Sequence, residues 1–210
     1  SREEAAKAVM TGILLVEELK QVGFRLLATG EMGIGNTTTS SAIVSVLLGK
    51  DPAEVTGRGA GRTSEGLERK IQAIRTAIAV NQPDSADSLD VLHKVGGLDI
   101  AGLAGVFLGG AIHRVPVLVD GFISSAAALV AAAICPAAKD YMLASHASNE
   151  PAGRMVLETL GLTPFLHAGM CLGEGTGAVA VMPLLDMGAA VYREMCTFAA
   201  TDIEAYEHLT

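Results

Sequence analysis

Apolar positions at helical spacing open the chain. Ala5, Ala8, Val9, Ile13, Leu14 and Leu19 recur every three or four residues. Ser1 with Glu4 makes a capping-box pattern, so a helix is predicted up to about Gly23. The period then collapses. Phe24 to Ala28 is short and apolar, ends at Gly30, and reads as a buried strand. Asn36 is placed to cap a second helix through Ala42, Ile43, Val46 and Leu47, stopped at Gly49. Residues 51–63 carry no period and are expected to be loop, and Ser64 starts a helix through Leu67, Lys70, Ile71, Ile74 and Ile78.

A polar linker at 83–88 precedes predicted helices from Leu89 to Val95 and from Ile100 to Ala111. Pro116 to Val119 is a second buried strand, broken at Asp120-Gly121 and followed by an alanine-rich helix to Cys135. Tyr141 to Ala144 is a third strand. Glu150-Pro151 opens a helix that Gly161 ends, a short strand falls around 165–167, and a long helix runs from behind Gly173–Gly177 to about Thr197.

Short continuous apolar strands alternating with helices imply βαβ crossovers. The expected fold is therefore α/β: one domain over 1–210, with a mostly parallel Rossmann-like sheet in about 24–175 and helices on both faces. The helices of the two chain ends, 1–22 and 178–210, are expected to form a small helical subdomain. The glycine and polar clusters fall just after the strands, at 30–36, 120–124, 145–150 and 173–177. Ligands of open α/β sheets bind at those carboxyl ends, so four clusters on one edge predict a site.

Composition narrows the chemistry. The 210 residues are half hydrophobic but only 4% aromatic, with 24 Gly, which suits helices packed closely on a sheet. A formal net charge of -8 argues against a broad nucleic-acid or anionic-membrane surface, so any anion must be held by a local device. The three cysteines are widely spaced with no C-x-x-C, which reads as reduced thiols in a cytoplasmic protein without a zinc site. The most apolar run, Ala126 to Cys135, is too short to span a bilayer. The sequence starts at Ser1, without an initiator Met, as though more chain preceded it.

The stretch GEMGIGNTTT (Gly30–Thr39) nearly spells a nucleotide-triphosphate loop, but Asn36 stands where that loop has lysine. Its glycines can turn N–H groups toward an anion at a helix start, and Asn36, Thr37 and Thr38 add side-chain donors. Lacking the lysine, it suits one phosphate monoester better than a polyphosphate with Mg²⁺. Gly57-Arg58-Gly59-Ala60-Gly61 is a second glycine-rich loop. Lys70, further along the next helix, either folds back onto the phosphate or is simply a solvated lysine. Asp120 could accept from ribose hydroxyls or serve only a turn or cap. His146 reads as a bystander. Glu174, flanked by glycines at a strand-to-helix junction, is the candidate general base, with Glu31 as a second carboxylate in a similar place.

Together GEMGIGNTTTSSA, GRGAG with Lys70, VLVDGFISSAAAL, ASHASNEP, LGEGTGA and YREMCTFA resemble, in order, the nicotinate-nucleotide–dimethylbenzimidazole phosphoribosyltransferase family. The resemblance runs from Ser1 to about Ala199. It implies transfer of phosphoribosyl from nicotinate mononucleotide to a benzimidazole-type base, with no cofactor and no metal, in cobalamin lower-ligand synthesis. It also implies Glu174 as the base, phosphate contacts from Gly33, Ile34, Gly35, Asn36 and Thr37 with Lys70, and ribose-phosphate contacts from Asp120 and Ser148. Glu31, Met32, Leu172 and Gly173 fall in the substrate pocket by the same resemblance, and a homodimer is the implied assembly. Ala60 departs from the family's usual threonine. Members also carry an N-terminal segment ahead of the position of Ser1 that supplies part of the base pocket. The alternative reading is therefore a nucleotide-binding module that holds the donor without a complete acceptor pocket.

Overall fold

The computed structural model describes residues 1–59, 63–201 and 204. In chain order it contains α1 (Arg2–Val22), β1 (Leu27–Ala28), α2 (Asn36–Leu48), α3 (Pro52–Val55), α4 (Ser64–Asn81), α5 (Ser88–Val95) and α6 (Leu98–His113). There follow β2 (Val117–Val119), α7 (Phe122–Ile134), a 3₁₀ segment (Pro136–Tyr141), β3 (Met142–Ala144), α8 (Pro151–Leu160), α9 (Thr176–Glu194) and a last 3₁₀ turn (Phe198–Ala200). The strands form one parallel sheet in the order β1-β2-β3, with Leu27 opposite Val117 and Val117 opposite Met142. The α/β expectation holds, though helix dominates and the strands are only two or three residues long.

Alternation along β2 explains why both faces are covered. Val117 and Val119 point into the principal core with Phe107 of α6, Ile123 and Val130 of α7 and Ile43 of α2. Leu118 points the other way, onto Ala178 and Val181 of α9. Of the helices from the two chain ends, Ala5 and Val9 of α1 belong to the principal core, and Ala178 and Val181 of α9 to the second. The contact of α1 with α6 is close because Gly12 faces Gly105. A Cβ at Gly105 would lie 3.0 Å from the Gly12 Cα and overlap the Val9 carbonyl.

Several boundaries differ from expectation for physical reasons. The predicted buried strand 24–28 is reduced to Leu27–Ala28, an edge strand with partners on one side only, and Phe24 is 51% exposed. The expected loop 51–63 holds the one-turn α3, which the aperiodic sequence hides. Asp51 caps it, Pro52 opens it, and Glu54 returns the capping box. The strand expected around 165–167 is a single parallel bridge between Leu166 and His146. Asn36 does not cap α2; Gly35 does, with φ 87°, and Asn36 is the first helical residue. Among the described residues no helix is long and apolar enough to cross a membrane.

Candidate active site

Each strand delivers a polar loop to one edge, and the loops meet around a cavity of about 590 Å³. Its wall is built from Glu31, Met32, Gly33 and Thr37 after β1, Asp120 to Ser124 after β2, and His146 with Ser148 to Pro151 after β3. Met170 to Gly173 and the stretch Thr56 to Gly59 complete it. All four sequence clusters and the second glycine loop therefore converge. Ala60 and Gly61 of that loop, including the departure at Ala60, lie outside the described residues.

The start of α2 is prepared for an anion. Gly35 makes no side-chain cap, so the first amides of the helix are left without one, at the positive end of its dipole. Lys70 is no solvated helix lysine. It is 4% exposed, and its Nζ donates to Thr37 Oγ1 at 3.0 Å and to the Gly57 carbonyl at 3.2 Å. A cation thus arrives from α4 at the place where the loop lacks its own. The Asn36 amide does something else, donating to Asp99 at 2.9 Å and tying the start of α2 to α6. Ile34 is 80% exposed and points away from the wall.

The loop 173–175 is held in an unusual shape. Gly173, Glu174 and Gly175 all have left-handed φ angles, at 77°, 56° and 81°. For glutamate this conformation costs energy, so the surroundings must impose it. They do so with two hydrogen bonds: Glu174 N–H donates to the Glu31 carbonyl at 3.0 Å, and Gly175 N–H to Asp120 Oδ2 at 3.1 Å. Asp120 Oδ1 accepts in turn from Ala178 N–H at 3.1 Å. Asp120, 3% exposed, is thereby the cap of α9, supplied from another strand because Gly175 has no side chain to do it. Both its oxygens are engaged, which gives it a role that neither the ribose reading nor a local turn includes.

His146 sits under this clamp. It is 3% exposed, packs where a Cβ on Gly177 would overlap its ring, and its Nδ1 lies 3.0 Å from Ser145 Oγ and 3.9 Å from Asp120 Oδ1. Burial pushes its pKa below the usual value, and the nearby Asp120 charge opposes that shift. Glu31 lines the cavity and accepts the Gly33 N–H. Glu174 is exposed and stands beside Gly173 at the rim rather than in the wall. Met32 and Leu172, 65% and 68% exposed, are apolar residues of the cavity wall. Ser148 lines the wall, but its hydroxyl also accepts the Glu150 N–H at 3.3 Å. Sequence reasoning placed Glu150 in the 145–150 cluster only as a helix start and missed Thr56 as a wall residue, because the stretch 51–63 read as loop.

Fold and cleft define an α/β protein whose ligand site lies outside the carboxyl ends of a parallel sheet. Its family is plain: residues 1–203 match the phosphoribosyltransferase family model DBI_PRT, and the chain belongs to that family. It is 51% identical over 209 residues to the nicotinate-nucleotide–dimethylbenzimidazole phosphoribosyltransferase of Ruminiclostridium cellulolyticum, covering all of this chain and 59% of that protein. The protein of the same name from Desulforudis audaxviator is 54% identical over 198 residues, covering 94% and 56%. Among solved structures, CobT from Thermus thermophilus superposes with a TM-score of 0.91 at 41% identity, covering 97% of this chain and 61% of that one. The chain therefore spans about three fifths of the length of the relatives it matches.

Proposed function

We propose that the chain binds nicotinate mononucleotide and transfers its phosphoribosyl group to 5,6-dimethylbenzimidazole or a related aromatic base, giving α-ribazole 5′-phosphate and nicotinate. The observation that carries this reading is the uncapped start of α2 with Lys70 Nζ on Thr37, a single-phosphate device assembled from two helices. The relatives' names supply the donor and acceptor. The phosphate docks on the Gly33–Thr37 turn and Lys70. The planar acceptor enters between Met32 and Leu172. Glu174 takes the benzimidazole N–H proton as the other ring nitrogen attacks C1′ and the bond to nicotinate breaks. The chain acts as one catalytic domain in the cytoplasm. A homodimer is supported by an apolar face at the end of α9 and just beyond it, where Val191, Tyr192, Met195 and Phe198 are all more than half exposed.

A second reading, a module that holds the donor without turning it over, is favoured by one observation: Glu174 lies outside the cavity wall. Titration calorimetry tests the common part. Nicotinate mononucleotide should bind and ATP should not, with or without Mg²⁺. Tighter, Mg²⁺-dependent ATP binding would sink the single-phosphate argument. Release of nicotinate on adding the acceptor separates the transferase from the module.

A further inference from the structure

Two polar atoms in the cavity wall are buried and have no hydrogen-bond partner among the described residues: Thr56 Oγ1 and Glu150 Oε2. Buried polar groups are paired with few exceptions, and an unpaired one carries a desolvation cost that a ligand can relieve. Thr56 is 3% exposed. The Glu150 carboxylate lies close against Gly57, where an added Cβ would overlap it. Only glycine at that position lets the carboxylate sit there.

The chemistry of the pair limits what it can hold. An ionised carboxylate is an acceptor only, and repels phosphate. At neutral pH nicotinate mononucleotide has two hydrogen-bond donors, its ribose hydroxyls: the phosphate and carboxylate are ionised, and the pyridinium nitrogen carries no hydrogen. Position agrees. The Gly57 carbonyl accepts from Lys70 Nζ, and a Cβ on Gly59 would lie 3.4 Å from Thr37 Oγ1 and 3.8 Å from Lys70 Nζ. The strip Thr56–Gly59 therefore joins the orphan pair directly to the phosphate site, and in a 5′-mononucleotide the diol lies on the ring next to the phosphate-bearing carbon. The benzimidazole N–H would lie beyond C1′, on the far side of the sugar.

We propose that Thr56 and Glu150 read the ribose hydroxyls of the donor and make the site select a ribonucleotide over a deoxyribonucleotide. This rests on the donor reading above. Titration of the 210-residue chain with nicotinate mononucleotide and with its 2′-deoxy and 3′-deoxy analogues tests it. The unsubstituted protein should bind the ribonucleotide about ten- to a hundredfold tighter than at least one analogue, the scale of a charge-assisted hydrogen bond. Glu150→Ala should lose most of that preference. Thr56→Val should lose part of it while keeping or raising the melting temperature of the ligand-free protein, because it removes an unpaired buried hydroxyl without changing shape. Equal affinity for all three nucleotides overturns the proposal and leaves the donor reading standing, as does a preference that survives in both variants. Failure of all three to bind overturns the donor reading, and this proposal with it.

Discussion

Replacing Asp120 by Asn probes the clamp on the 173–178 turn without changing side-chain shape. The carboxylate accepts two backbone N–H groups, from Gly175 and Ala178, each at 3.1 Å. Asparagine keeps one acceptor oxygen and turns an NH₂ group toward the other amide, so one charge-assisted bond is lost and a buried N–H is left facing a donor. Such a bond contributes about 1.5–3 kcal/mol and an unpaired buried group costs about 1–3 kcal/mol, so a loss of about 2–4 kcal/mol is expected after partial relaxation. For a chain of this size each kcal/mol moves Tm by about 2–4 °C, which places the variant about 5–15 °C below the parent. Thermal unfolding by circular dichroism measures the shift. Hydrogen exchange localises it, since the Gly175 and Ala178 amides should lose protection well ahead of the α6 and α7 amides. Asp186→Asn on the exposed side of α9 is the control and should stay within about 0.5 kcal/mol. An Asp120→Asn protein as stable as the control, with both amides still protected, would refute the cap.

Lys70→Ala should weaken nicotinate mononucleotide about ten- to a hundredfold in calorimetry and leave the dephosphorylated nucleoside nearly unchanged, and equal losses for both would make Lys70 structural only. Glu174→Gln should cut kcat by about 10²–10⁴-fold with little change in the donor Kd; near-full turnover would move the search for the base to Glu31. His146 has a folded pKa below its unfolded value of 6.5, so the unfolded chain binds more protons at low pH and stability falls as pH drops below about 6.5. A His146→Gln protein should show a flatter stability profile below about pH 6.5, and an unchanged pH dependence in denaturant titrations there would count against the assignment.

The sequence made the site legible where local pattern and tertiary role coincide. Glycines after apolar runs mark the Gly33–Gly35 turn because no other residue takes those φ angles readily, and strand ends mark the edge where ligands bind. Legibility fails where a residue serves a distant element. Asp120 beside Gly121 has the composition of a turn, yet its carboxylate caps a helix whose N-cap, Gly175, lies 55 residues later. Asn36 is the first residue of α2, one place past the cap it was expected to be, and its amide reaches Asp99 at the start of α6. Lys70 shares the apolar period of Leu67, Ile71 and Ile74, so its face is legible, but the partners that meet its buried charge, Thr37 Oγ1 and the Gly57 carbonyl, come from distant segments and are not. In each case periodicity reports which face of its own element a residue occupies, and a tertiary partner then changes what that face meets.

The same reasoning explains why the base candidate is visible in sequence and its posture is not. Glycine on both sides of Glu174 announces an open backbone, but glycine alone does not hold glutamate at φ 56°. That takes the Glu31 carbonyl on its own N–H and Asp120 on the next, groups from the loops after β1 and β2. The backbone at Glu174 is thus held by the loops after β1 and β2, and a shift in either moves its side chain relative to the cavity. A variant that loosens Asp120 should therefore impair turnover more than donor affinity, since the phosphate contacts at α2 and Lys70 do not depend on that carboxylate.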